Sequence, residues 1–241
     1  MLTLELWVAA ALLAYVVKGF GGFGPALVVM PTLAVLYSPR VALGTSALLD
    51  LVVGAGFLAV LGFPTGAQLV RLRAMAGALV VGTVVGSLGA ALVPRRVLLF
   101  LVAAAVVVLA VRLLRAPAAA KTPSRVGLQV SALLAGLSGG LVGVSGPLLV
   151  AGVARLGKAQ MRQLLVAVFL VEAVVKTVLY AATATIDARC VHLALLAAPA
   201  VVVGLAVGAW LHTRAAQERF TRVLAFLLLA LAAAPLVAAL A

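Results

Sequence analysis

The stretch KGFGGFGPALVVMPTL, Lys18 to Leu33, carries glycines at 19, 21 and 24 in the spacing G-x-G-x-x-G. A dinucleotide turn with that spacing needs a strand before it, a helix after it, an acid roughly 20 residues on and a soluble α/β frame. Here the preceding run, LELWVAAALLAYVV, is an apolar stretch of membrane length, and the nearest downstream acid, Asp50, lies inside another one. The nucleotide reading therefore fails, and the glycines read as a deliberate break in a membrane helix. In a bilayer, the backbone groups freed by such a break are tolerated only when buried in protein or facing a water-filled cavity. A helix restarting near Gly24-Pro25 has proline in its first turn, and its unbonded N–H groups and positive dipole end favour an anion.

The stretch GLSGGLVGVSGPLLV, Gly136 to Val150, repeats the pattern and adds the hydroxyls of Ser138 and Ser145. The candidate anion ligands are thus Gly21, Gly22, Gly24 and Pro25 at one break, and Ser138, Ser145, Gly146 and Pro147 at the other. The pocket is expected where Gly21 to Pro25 approaches Ser145 to Pro147. A plainer reading makes these kink or packing glycines, which membrane helices use freely; two matching motifs, each followed by a short arm, argue for a site. Few ionisable residues lie inside apolar segments: Lys18, Asp50, Glu172 and Lys176. Such charges cost about 2.5–3.5 kcal/mol even on insertion scales, so they face the protein interior and are often functional. Glu172 and Lys176 share a helical face and can pair, which makes them a structural ion pair or part of the transport machinery. Asp50 either pairs with Lys18 across helices or, unpaired, carries a proton, since burial raises a carboxyl pKa. Lys18 can also lend positive potential to an anion pocket, with Thr45 and Ser46 as hydroxyl donors or as ordinary interhelical contacts. Arg40 and Arg162 read as loop anchors where segments meet water. His192 and His212 have no partner at ligand spacing, so no metal site and no cofactor is expected.

These residues must be held by membrane helices. Of 241 residues, 66% are hydrophobic and 10% charged, where a soluble domain carries roughly 25% charged residues; mean hydropathy is +1.34. Uncharged runs such as Gly19–Pro39, Ala74–Pro94, Val126–Ala154, Cys190–His212 and Val223–Ala241 meet or approach the roughly 20 residues a spanning helix needs. The net charge of +13 sits in short loops, so it reads as topology and not as a nucleic-acid surface. The first apolar run lacks a basic leader and a clear cleavage site, and is read as part of the fold. Cys190 stands alone, which excludes an internal disulfide.

Sliding the second half over the first by 122 positions places Gly24-Pro25 on Gly146-Pro147, Arg40 on Arg162, Asp50 on Glu172 and Gly82/Gly86 on Gly204/Gly208. Near the ends a shift of 126 brings Arg96-Val97-Leu98 onto Arg222-Val223-Leu224. The chain is therefore read as two repeats, 1–114 and 125–241, joined by the cytoplasmic linker 115–124. The first holds a hairpin over 4–37 and helices over 41–62, 69–92 and 97–114; the second holds a hairpin over 125–155 and helices over 162–183, 190–211 and 221–240. If each Gly-Pro stretch is the tip of a hairpin that leaves by the face it entered, twelve basic residues fall on one side. These are Arg71, Arg73, Arg112, Arg115, Lys121, Arg125, Arg155, Lys158, Arg162, Arg214, Arg219 and Arg222, against Arg40, Arg95, Arg96 and Arg189 on the other. With each stretch as a single crossing the split is seven against nine. Only the hairpin arrangement obeys the positive-inside rule. The expected fold is an all-α polytopic membrane protein with inverted repeats, each a broken hairpin followed by three transmembrane helices, with both termini outside. The pairs Gly82/Gly86 and Gly204/Gly208 read as helix-packing contacts.

GFGGFGPALVVMPTL followed by ALGTSALLD, and GLSGGLVGVSGPLLV followed by MRQLLVAVFLVE, resemble the TauE/SafE sulfite exporter family over essentially the whole chain. Phe23 and Ser145 stand where that family's motif would place further glycine. The resemblance implies a secondary transporter that exports sulfite or a small organosulfonate across the inner membrane. Its partners are then a small anion, the lipid bilayer and, through Asp50 or Glu172, protons. The chain is not expected to be an enzyme: no nucleophile with an oriented base and no phosphate-loop lysine is visible. A carrier of a non-sulfur organic anion on the same scaffold, or a membrane scaffold without transport, are the alternatives.

Overall fold

The computed structural model describes residues 2–89, 124–154 and 156–216, with the isolated positions 107, 219, 222, 223 and 226. Apart from those positions, the segments expected at 97–114 and 221–240 lie outside the described residues. Within them the chain forms helices α1 (Leu2–Gly21), α2 (Pro25–Leu36), α3 (Pro39–Leu61), α4 (Gly66–Gly89), α5 (Arg125–Val142), α6 (Gly146–Val153), α7 (Lys158–Ala182) and α8 (Ala188–Arg214), with no strand among the described residues. Five of these, α1, α3, α4, α7 and α8, are long and apolar enough to cross a membrane. At 1.5 Å per residue, α2 with 12 residues and α6 with 8 are too short to do so.

Local sequence sets the helix ends. Ser38 and Ser124 cap α3 and α5 by accepting from the N–H groups of Val41 (3.2 Å) and Gly127 (3.0 Å), each satisfying one of the donors that a helix start leaves unpaired. Asp187 does the same for α8, its Oδ1 accepting from Cys190 N–H at 2.9 Å. That hydrogen bond, with lesser help from the Arg40 charge, holds the Asp187 carboxyl below its usual value.

Two compact units form, and each draws on both halves of the chain. One comprises Met1–Phe63 with Phe169–Arg214, the other Pro64–Val168 with Ala215–Ala241. In the first unit, α1, α3 and α8 start together and run the same way. Trp7 Nε1 donates to the Leu193 carbonyl (3.1 Å), Arg40 donates to the Ala184 carbonyl just before α8, and the Cys190 thiol lies against the Val41 carbonyl. The far half of α7 runs antiparallel to α3, with Thr177 Oγ1 near the Ala47 carbonyl and Leu170 against Gly54. Because α1 and α3 are parallel, α2 between them has to return along α1. Val29 and Leu33 accordingly share one core with Trp7, Ala11, Ala14 and Tyr15 of α1, Leu49 and Val53 of α3, and Ala197 and Val201 of α8.

Glycine determines how closely the helices cross. On α8 the buried residues Cys190, Leu193, Ala197, Val201, Gly204, Gly208 and His212 follow three- and four-residue spacing, one face of a helix. The opposite face exposes Leu195, Val202 and Val203, as expected where the solvent is lipid. Gly204 and Gly208 lie on the backbone of α1: a Cβ on Gly204 would meet the Leu12 carbonyl, and one on Gly208 the Val16 carbonyl. In the second unit Gly82 and Gly86 of α4 lie on α5 in the same manner, against the Leu133 and Leu137 carbonyls. Leu12 and Val16 precede Leu133 and Leu137 by 121 positions, one fewer than separates Gly82/Gly86 from Gly204/Gly208, and the two glycine pairs make similar parallel crossings. Lipid tails are as apolar as leucine, so such close backbone approach, and not hydrophobicity, holds membrane helices together.

Candidate functional site

Both glycine motifs are true interruptions. At the first, α1 ends with the Gly22 N–H donating to the Lys18 carbonyl at 2.7 Å, and Gly22 (φ 81°) and Gly24 (φ 102°) take left-handed conformations. Only glycine adopts these without strain. Gly21 and Pro25 flank the turn and are buried, as is Phe23; a Cβ on Gly24 would touch Val17 at 3.0 Å, the chain having folded back on α1. At the second, Gly143 (φ 79°) donates to the Gly139 carbonyl at 3.0 Å, the counterpart of the Gly22 to Lys18 bond. The chain then takes one residue more before α6 starts at Gly146-Pro147. Here too it reverses, because Gly152 on α6 packs against Ser131 and Leu128 of α5.

A helix that stops inside a protein leaves carbonyls without donors, and side chains supply them. His212 Nδ1 donates to the Phe20 carbonyl at 2.8 Å, and Ser138 Oγ donates to the Val144 carbonyl. Ser138, expected from the sequence as an anion ligand, turns its hydroxyl to this carbonyl and closes the break. His212 was missed as part of the first break. The signal was its position four residues after Gly208, on the face that meets α1. Ser145 is buried at the start of α6 and its hydroxyl does not cap that helix.

All four intramembrane charges fall in the first unit. Lys18, 1% exposed, meets Asp50 with Nζ to Oδ1 at 2.5 Å, joining the last turn of α1 to the middle of α3. Lys176 and Glu172 pair along α7 at 2.7 Å. Asp50 is within electrostatic reach of Lys176, and Tyr15 lies 5.6 Å below the Lys18 ammonium. Thr45 and Ser46 are buried on α3, Thr45 next to Gly44, where that helix abuts Cys190 and Thr185. Arg40 is the expected loop anchor through Ala184. Arg162, expected at the water boundary, is instead buried one turn into α7, since that helix starts at Lys158, four residues earlier than the hydropathy implied. Among the described residues no three His, Cys, Asp or Glu side chains cluster as a metal site would require.

The arrangement joins two broken helices whose freed carbonyls meet His212 and Ser138, helix restarts at Pro25 and Gly146, and a buried lysine near the first of them. No curated protein and no solved structure matches the chain. The family model described as sulfite exporter TauE/SafE matches residues 7–234, nearly the whole length, and the chain belongs to the TauE/SafE sulfite exporter family.

Proposed function

We propose that this protein exports a small sulfur-containing anion, sulfite or an organosulfonate, across the inner membrane by alternating access. Family membership makes it a multi-pass membrane transporter, and members of that family are not enzymes. The observation that carries the anion reading is the first break: a left-handed turn at Gly22 to Gly24, α2 restarting at Pro25, and the buried ammonium of Lys18 one turn before. Gly21, Gly22, Gly24 and Pro25 present the backbone edge, and Lys18 supplies the charge. Ser145, Gly146 and Pro147 do the equivalent at the second break, with Ser138 as its brace. Broken helices whose N-terminal ends face the substrate are how many secondary carriers hold anions.

The twelve-to-four distribution of basic residues supports inverted repeats with both termini outside and the 115–124 linker in the cytoplasm. Proteoliposomes loaded with sulfite, methanesulfonate or acetate test the function. Saturable efflux of the sulfur anions is the expected result; efflux of acetate alone refutes the sulfur assignment, and no efflux of any of them refutes the carrier.

A further inference from the structure

Asp50 and Glu172 occupy equivalent positions in the two repeats, yet they are neutralised in different ways. Glu172 pairs with Lys176 four residues along the same helix, so no movement of one helix against another separates them. Asp50 pairs across to Lys18, on the arm of a hairpin whose turn begins directly after it. This pair persists only while the end of α1 lies against α3. The two partners also differ in access: the Lys18 side chain is 2% exposed, whereas that of Asp50 is 24% exposed. The ammonium is the sealed partner, and the carboxylate is the one left partly open.

The groups that face Asp50 are few. From α1 come Lys18 and Tyr15, and from α7 comes Lys176 with its partner Glu172. The α2 segment PALVVMPTLAVL carries no titratable side chain. On α8, Cys190 packs at the Val41 end of α3, and His212 is engaged with Phe20. Lys176 is held by Glu172, so Lys18 is the direct counter-charge.

From this geometry we infer that Asp50 is a resident stand-in for the transported anion: a substrate monoanion displaces its carboxylate from Lys18, and Asp50 leaves that contact by taking up one proton. The site is neutral before, as Lys18 ammonium with Asp50 carboxylate, and neutral after, as Lys18 ammonium with substrate anion beside a protonated Asp50. Charge balances at each stage, and one proton moves with each monoanion. The coupling follows from burial. Separating one member of a buried pair leaves an uncompensated charge, which is far costlier than the pair, so the end of α1 cannot part from Asp50 unless an anion has arrived at Lys18. An empty carrier is thereby kept from slipping. The inference rests on the reading of the chain as an anion carrier and adds the residue pair that couples it.

Calorimetry on the full-length protein in detergent, with gluconate as background anion and methanesulfonate, sulfite and acetate as probes, tests this. Repeating each titration in buffers of different ionisation enthalpy counts protons. The expected result is about one proton taken up per anion bound. Asp50→Asn retains binding but takes up no proton. Lys18→Gln binds at least about tenfold more weakly, the worth of a hydrogen bond to a charged group. The neutral pair Lys18→Gln with Asp50→Asn, which leaves no lone charge to disturb folding, binds none of the probes. Anion binding without proton uptake in the parent protein, unchanged proton uptake in Asp50→Asn, parental affinity in Lys18→Gln, or no binding of any probe to folded protein overturns the inference. If acetate binds with a proton and neither sulfur anion binds, the exchange stands and the sulfur assignment falls. If sulfite is exported from vesicles but binds without a proton, the reverse holds.

Discussion

Gly19 of α1 and Gly208 of α8 face each other across the helix crossing, so closely that a methyl group on Gly208 would stand 2.8 Å from the Gly19 Cα. Gly86 makes the equivalent approach to Leu137 in the other unit, with a methyl group 3.0 Å from its Cα. Backbone cannot yield as a flexible side chain can, so the helices themselves must separate to admit a Cβ.

Gly208→Ala and Gly86→Ala are each expected to destabilise the protein by about 1–3 kcal/mol, the usual effect of overpacking. Gly77→Ala, where nothing lies within 4 Å, is expected to be neutral or to stabilise by up to about 1 kcal/mol through helix propensity. Thermal unfolding in detergent reads the difference, and equal behaviour of Gly208→Ala and Gly77→Ala would refute the close crossing.

The Lys18–Asp50 pair predicts an asymmetric double-mutant cycle. Asp50→Asn strands a sealed ammonium and is expected to cost about 3–5 kcal/mol in anion-poor buffer, the range for breaking a buried pair. Lys18→Met leaves a partly exposed carboxyl instead of a sealed ammonium, so its effect is smaller. The double variant should be more stable than the sum of the singles implies. Additive effects measured by thermal unfolding would contradict a direct pair.

Asp187 gives a pH-dependent term of defined sign. Its folded pKa lies below the ordinary carboxylate value because the ionised form accepts from the Cys190 N–H. Its contribution to stability is therefore complete above the unfolded value of about 3.8 and is lost as pH falls through the lower folded value. Asp187→Asn should be less stable than the parent at neutral pH, and the difference should diminish in strong acid. A gap that widens on acidification would be inconsistent with this cap.

Topology can be read by thiol labelling, because the chain's one cysteine, Cys190, is buried. In a Cys190→Ala background, Lys121→Cys in the linker is expected to react with an impermeant maleimide from the cytoplasmic side only. Thr183→Cys, in the exposed loop before α8, should react from the outside only. Labelling of both from one side would refute the twelve-to-four orientation.

Much of this protein is written along its chain. Two-thirds apolar composition demands lipid as solvent, and glycine next to proline inside spanning-length runs points to breaks, because glycine takes the positive φ of Gly22, Gly24 and Gly143 at least cost. The offset that aligns Asp50 with Glu172 and Gly82/Gly86 with Gly204/Gly208 is the ground for reading two repeats. Pairing of Glu172 with Lys176 was legible because four residues on one helix are always neighbours. What the chain left open was the choice of partner between helices. Small residues declare that a face will be closely packed without saying against what, so the placing of Gly208 on α1 and of Gly86 on α5 was decided by tertiary packing. The same holds for Lys18 and Asp50, 32 residues apart, for His212 closing the Phe20 carbonyl, and for the Ser138 hydroxyl turned to Val144. In lipid, the groups a broken helix frees must find their partners within the protein, and only the folded arrangement determines which side chains come within reach.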